Sequence, residues 1–350
     1  MLTNSDLIEL TAFRRCLHTM PELSGEEVET ARRITVALAP MKPTRVITGL
    51  GGHGVAAVFD SGVAGPTVLF RCELDALPIH EISDSQWRSE VDGKGHLCGH
   101  DGHMTMMLGF GRMLSRKPVA RGRVVLMFQP AEEDGSGARA VVADPAFAQI
   151  APDWAFAIHN EPGRPFGYVS TRVGLINCAS QGLLIRLTGK TAHAADPQDG
   201  VSPASAVAQL IPALNALGQG GALDNDFKLV TITHVNVGEP TFGVAPADAV
   251  IYVTLRTAHD EPMADMVASA RAITLGVATA EGLDVAFEVR DEFAASINDA
   301  DATRVAMDAM DALKIPNGDF GLPMRASEDF GVFGWNAKAA MLCLGVGEDY

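Results

Sequence analysis

Apolar residues at Leu7, Leu10, Phe13 and Leu17 repeat with helical spacing, so the chain is expected to open on an amphipathic helix. Ser24 with Glu27 three positions on has the pattern of a capping box and announces a second helix, which Pro40 closes. Short apolar runs at 54–59, 67–70, 123–128 and 154–158 then read as buried strands, and the stretches 104–114 and 138–142 as helices. Strands alternating with helices in this way predict a largely parallel sheet covered by helices. After Asn177 the pattern changes to strand 182–187, helix 203–217, strands 229–235 and 250–255, helix 263–280 and strand 285–289. Two helices and four strands in that order predict a compact α+β sandwich of ferredoxin-like type. The stretch 291–299 leads the chain back, and a helix at 302–313 and an apolar strand at 339–344 close the first domain. The expected fold is therefore α/β, with a mostly parallel-sheet main domain (1–177 and 291–350) and an inserted ferredoxin-like α+β domain (178–290).

A length of 350 residues suits two domains, and 47% hydrophobic residues supply material for both cores. Charge narrows the partners. With 43 acidic against 27 basic side chains the formal charge is −16, a field that repels nucleic acid and anionic membrane surfaces. No run of Lys and Arg offsets it, and no apolar stretch is long enough to span a bilayer. The five cysteines (Cys16, Cys72, Cys98, Cys178, Cys343) are odd in number and scattered, which argues against a disulfide framework. The N-terminus lacks the basic and apolar regions of a signal peptide, so a cytoplasmic protein is expected.

The candidate chemistry gathers where strands end. The strand at 67–70 runs into Cys72-Glu73-Leu74-Asp75, that at 123–128 into Gln129-Pro130-Ala131-Glu132-Glu133, and that at 154–158 into His159-Asn160. Between the first two lies Cys98-Gly99-His100-Asp101-Gly102-His103, just ahead of a helix. Open α/β sheets place their sites outside the carboxyl ends of their strands. That edge here collects thiol, imidazole and carboxylate groups, the donors that divalent transition metals use. Alone, Cys98 reads as a small buried residue, Glu132-Glu133 as a solvated charge pair and His159 as a core histidine. Together, with glycines at 99 and 102 that let the backbone bend tightly, they point to a metal site.

These motifs, with Glu73-Leu74-Asp75-Ala76-Leu77-Pro78, Ala192-His193-Ala194-Ala195 and Ser327-Glu328-Asp329-Phe330, run in the same order as those of a known group. The chain resembles the amidohydrolase branch of the aminoacylase/carboxypeptidase metallopeptidase family, which includes hippurate hydrolases, auxin-conjugate hydrolases and N-acyl-amino-acid deacylases. The resemblance implies a metal-dependent amidohydrolase that cleaves the amide bond of small N-acyl amino acids to a carboxylate and a free amino acid. It implies two divalent ions per subunit (Zn, Mn, Co or Ni) held by Cys98, His100, Glu133 and His159. Glu132 would be the general base, with Asp75 orienting a ligand from behind. The inserted domain would be a lid and the surface of a homodimer, with His193 polarising the substrate carbonyl. Asn160 and Glu328, inside matched motifs, are expected at the substrate. Arg256 stands open between holding a substrate carboxylate and being a plain strand-edge arginine.

The sequence departs from the family pattern at three places. Glu73 stands where Asp is frequent, and Gly243-Val244-Ala245-Pro246 lacks an asparagine that could contact substrate. Relatives also carry a further ligand histidine and a closing helix beyond the strand at 339–344, whereas the last histidine here is His259. A C-terminus cut short is the expectation drawn from this. A dipeptidase, an N-acetyl-diaminopimelate deacetylase, or a catalytically impaired metal-binding homologue are the competing readings.

Overall fold

In the computed structural model, which describes residues 1–347, the opening helix spans Asn4–Thr19. Residues 348–350, assigned above to the main domain, lie outside the described residues. Thr3 and Asp6 cap this helix reciprocally: the Asp6 amide donates to Thr3 Oγ1 (3.2 Å), and the Asp6 carboxylate accepts from the Thr3 amide (2.7 Å). The same carboxylate is buried against Arg112 (2.9 Å) and Arg116 (2.7 Å) of the helix His100–Arg116, which ties the two helices together.

The second helix, Val28–Leu38, forms without the anticipated capping box. The Ser24 hydroxyl donates instead to Asp75 Oδ2 (2.7 Å), and Glu27 Oε1 accepts from the Ala131 amide (2.8 Å). Glu22 takes over the helix N-terminus, accepting from the amides of Thr30 (2.7 Å) and Glu29 (3.2 Å). The reason is that Ser24 and Glu27 face buried polar groups, the Asp75 carboxylate and the Ala131 amide, which are costly to leave under-bonded, whereas free helix amides can recruit any nearby carboxylate.

The chain divides into two units, one comprising Met1–Ile176, Ser296–Pro323 and the residues from Glu328 onward, the other Asn177–Ala295 with Met324–Ser327. In the first, an eight-stranded sheet runs in the order Arg45–Leu50, Gly54–Asp60, Arg123–Gln129, Thr67–Glu73, Trp154–Glu161, Lys338–Gly345, Val169–Ser170, Asn317–Gly318. The strands 123–129, 67–73, 154–161 and 338–345 are parallel neighbours, as the alternation of strands and helices predicts. Arg45–Leu50 escapes the sequence pattern because most of it is exposed or half-buried and presents no apolar run. Leu126 and Phe128 join a core with Leu10, Leu17, Ile34, Leu38, Met104 and Leu108 from three helices. The alternate residues Val125 and Met127 are equally buried, so both faces of that strand are covered. In register, Glu73 pairs with Gln129, which brings the carboxyl ends of these strands level.

The second unit is a four-stranded antiparallel sheet in the order Lys228–Val237, Asp248–Thr257, Ala179–Thr188, Asp284–Phe293. Its helices Ala204–Asn215 and Asp260–Ala280 bury Leu210, Leu214, Met263, Met266 and Ala270, giving the ferredoxin-like arrangement. No helix among the described residues is long and apolar enough to cross a membrane.

Asp6 supplies a test of the helix pair. Arg116, with the Thr3 hydrogen bonds, holds its carboxyl far below the usual carboxylate range. A depressed folded value contributes stability above the unfolded value of about 4 and loses it as the pH falls towards the folded value. The Asp6→Asn chain is therefore expected to melt below the parent at pH 7, with a gap that is steady above about pH 5 and narrows in acid. Thermal melts of both chains across pH 3–8 check this; a gap independent of pH counts against it.

Candidate metal centre

Four segments converge at the carboxyl edge of the parallel strands. The first is the helix His100–Arg116, entered through Gly99 at a φ of 95°. The left-handed conformation favours glycine there, and a Cβ at Gly99 would meet Asn160 Oδ1 at 2.1 Å and displace that side chain. That turn sets Cys98 beside His159, with Sγ 3.3 Å from Nε2. His100 donates Nδ1–H to the Asp75 carbonyl (2.8 Å), which fixes the tautomer and leaves Nε2 as the free donor atom.

The next segment is the turn after strand 123–129. Gly137 closes it, because a Cβ there would lie 1.7 Å from the Pro130 carbonyl oxygen. Ala131 adopts a φ of 50°, a left-handed conformation costing a non-glycine residue about 1–2 kcal/mol. Its amide is held by buried Glu27, and the Glu133 amide by Asp75 Oδ2 (2.9 Å). His100 Nε2 then faces Glu133 Oε1 at 3.7 Å and Glu132 Oε2 at 3.8 Å.

These atoms form two overlapping triads, Cys98–His100–His159 and His100–Glu132–Glu133, each with its donor atoms within 4.8 Å of one another. Donors about 2.0–2.3 Å from a tetrahedral ion are spaced about 3.3–3.7 Å apart, close to the separations here. His100 Nε2 and Glu133 Oε1 are buried and make no hydrogen bond among the described residues. Left in that state each would cost free energy, and a cation between them removes the penalty. The donor set thus fits a divalent metal. Burial lowers the His159 imidazole to about 4, which keeps it neutral and able to ligate. Burial raises the Cys98 thiol, and raises the Glu133 carboxyl against the pull of His100.

Beneath the triads lies a layer that sequence reasoning missed. The fully buried Arg71 donates to Gln129 Oε1 (2.9 Å), to Glu73, to Glu328 Oε1 (2.7 Å) and to Asp329 Oδ1 (2.5 Å). An arginine directly after a run read as a buried strand was the available signal, since a charge there needs buried partners. Glu132, Glu328 and Asp329 form a further group within 4.8 Å. Burial, reinforced by Glu328 and Asp329, holds the Glu132 carboxyl well above its ordinary range. Burial pushes Asp329 up to about 7 despite Arg71. Glu328, expected at the substrate, is buried and bonded to Arg71 and to the Phe330 amide.

His103, part of the sequence cluster, has both nitrogens engaged, with Glu73 Oε2 at 2.6 Å and the Asn160 amide at 3.0 Å. Asn160 thus sits beside His159 with its backbone anchored. The remaining two expected residues belong to the second unit. His193 is exposed on a short strand paired with Val244-Ala245, and its Nδ1 accepts from the Ala195 amide. Arg256 is half-buried and donates to Ser327 Oγ (2.6 Å) and the Arg325 carbonyl (2.9 Å).

Residues 69–350 match the family model described as peptidase family M20/M25/M40. The chain is 32% identical over 330 residues to the N-acetyl-L-cysteine deacetylase of Bacillus subtilis, covering 93% of this chain and 77% of that protein. It is 28% identical over 327 residues to the hippurate hydrolase of Campylobacter jejuni, covering 93% and 85%. Its fold matches the crystal structure of a dinuclear metal-binding peptidase of the M20 family from Bacillus subtilis with a TM-score of 0.79, at 26% identity and covering 98% and 90%.

Cysteine reactivity tests the thiol at the site. A coordinating thiol is deprotonated and shielded by its ion. Alkylation of Cys98, read by peptide mass spectrometry, is expected to be slow with manganese(II) or zinc(II) present and faster after chelation. Exposed Cys16 serves as the internal control and reacts alike in both. Equal Cys98 rates in the two states would remove it from the ligand set.

Proposed function

The chain belongs to the peptidase family M20/M25/M40 and is a metal-dependent amidohydrolase, and from that premise we propose that its substrates are N-acyl amino acids, released as a carboxylate and a free amino acid. The substrate class is supported by the similar N-acetyl-L-cysteine deacetylase and hippurate hydrolase, hippurate being N-benzoylglycine. The observation that carries the catalytic reading is the adjacent pair Glu132-Glu133 at His100 Nε2, with the Glu132 carboxyl also set against Glu328 and Asp329.

In this reading Cys98, His100, His159 and Glu133 hold divalent metal, two ions per subunit. A divalent ion held there acidifies water and polarises an amide carbonyl. We assign Glu132, although its carboxylate lies within the His100–Glu132–Glu133 group, to proton transfer and not to ligation: it takes up the proton of the attacking water and passes it to the departing amine nitrogen. Its burial beside other carboxylates suits that exchange, because such a group holds a proton readily and can return it. Asp75 holds the Glu133 amide and so steadies that ligand. We assign to Arg256 the carboxylate of the substrate, to His193 the carbonyl, and to Asn160 and the neighbourhood of Glu328 the lining of the site, in a homodimer.

The test is a panel of N-acetyl and N-benzoyl amino acids, with dipeptides and N-acetyl-diaminopimelate as competitors, assayed after chelation and after return of zinc, manganese, cobalt or nickel. Metal-dependent turnover of the N-acyl amino acids is expected. Metal bound with no turnover on any member would mark an impaired homologue. Glu132→Gln is expected to lower kcat by roughly a hundred- to ten-thousand-fold with metal per chain unchanged. Loss of metal together with activity would show that the two glutamates exchange roles.

A further inference from the structure

The turn that presents the two glutamates is held at both ends from outside the strand ladder. On one side Glu27 Oε1 accepts from the Ala131 amide (2.8 Å) and from the Gly25 amide (2.9 Å). On the other, Asp75 Oδ2 accepts from the Glu133 amide (2.9 Å) and from the Ser24 hydroxyl (2.7 Å). Glu27 thus holds one amide directly, Ser24 three positions earlier steadies the Asp75 carboxylate that holds the other, and Glu132 lies between the two held amides. Ala131 carries a φ of 50°, which L side chains rarely adopt, and is itself buried. Glu27 is completely buried and serves neither its own helix N-terminus nor any metal triad. A carboxylate sequestered in this way, on the amide of a residue in an unfavoured conformation, is explained by the conformation it secures.

We propose that Glu27 is a positioning residue that pins Ala131 in its left-handed conformation and so aims Glu132 at the proton it carries and Glu133 at its ion. The proposal rests on the assignment of those two glutamates given above. It makes a demand that ordinary structural support does not: the need for Glu27 depends on the residue at 131. Glycine enters the left-handed region without steric cost, so replacing Ala131 relieves much of what Glu27 must hold.

The experiment is a double-mutant cycle of Glu27→Ala and Ala131→Gly, with Glu27→Gln as the variant that keeps a carbonyl acceptor. Turnover of the best N-acyl amino acid and calorimetric titration of manganese(II) are both measured. Outer-layer residues of metal sites typically contribute about 10- to 100-fold in activity or metal affinity. Glu27→Ala is therefore expected to lower kcat by about 10- to 100-fold, with KM altered less than about threefold, and to weaken manganese(II) binding. In the Ala131→Gly background the same substitution is expected to cost less than about threefold in kcat. Glu27→Gln is expected to retain most of the activity. If the Glu27→Ala chain does not fold, Glu27→Asp, which keeps the carboxyl group but shortens the reach, takes its place in the cycle. An equal loss in both backgrounds, or a loss confined to KM, overturns the proposal. Should no substrate turn over even in the parent chain, the hydrolytic reading fails separately, and coupling between 27 and 131 in the manganese(II) affinity still decides for or against the pin.

Discussion

The Arg71 side chain is fully buried, and among the described residues its hydrogen bonds go to carboxylates and to the amide oxygen of Gln129. Taking an ion of this kind out of water costs several kcal/mol even after relaxation, so its partners must be close and well directed. One positive charge, however, faces Glu73, Glu328 and Asp329, with Glu132 beside them. The arrangement is deficient in positive charge by construction. Burial first, and the neighbouring carboxylates after it, raise the Glu132 and Asp329 carboxyls, so both bind protons more tightly than exposed carboxyls. The same concentration of buried carboxylates favours a divalent cation at the neighbouring donor groups, and on it rest both the proposed metal site and the proposed proton-carrying role of Glu132.

Much of this cluster is built from chain at or beyond the strand ends, where the ladder no longer satisfies every backbone amide, although His159 and Asn160 still pair with the strand Lys338–Gly345. The structure meets this with side chains used as surrogate acceptors. Glu27 takes the Ala131 amide, Asp75 the Glu133 amide and His103 the Asn160 amide, each one or two positions from a residue that faces the site. His103 shows how far the dependence runs. Its Nδ1 is fixed by Glu73, Glu73 is fixed by Arg71, and its Nε2 receives the amide that follows His159. A hydrogen-bonded line therefore connects the buried guanidinium to the end of the strand that carries the candidate ligand His159.

Much of this was legible in the sequence, and the boundary of legibility has a physical basis. Parallel strands buried on both faces announce themselves as apolar runs, and the segments at their ends contain the ligand candidates, so Cys98, His100, Glu132, Glu133 and His159 could be named before any fold was known. The ferredoxin-like unit was readable because its element order is itself the signature. The supporting layer was not. Ser24 and Glu27 stand at capping-box spacing, and local reasoning assigns them to the helix they precede. The Ser24 hydroxyl can donate to a buried carboxylate, and Glu27 accept from a buried amide, as readily as either can cap a helix, and Glu22 takes the helix amides instead. What decides between the two uses is the burial of the competing polar groups, and burial is a property of residues distant in sequence. Arg71 poses the same problem in reverse. Its charge inside an apolar strand marks a need for partners, but two of them, Glu328 and Asp329, lie more than 250 positions away. Residues that touch a metal are recognisable by type and spacing, because coordination chemistry constrains both. Residues that hold those residues are constrained only by where the chain folds, so any polar side chain of suitable reach can serve, and the sequence alone gives no reason to prefer one.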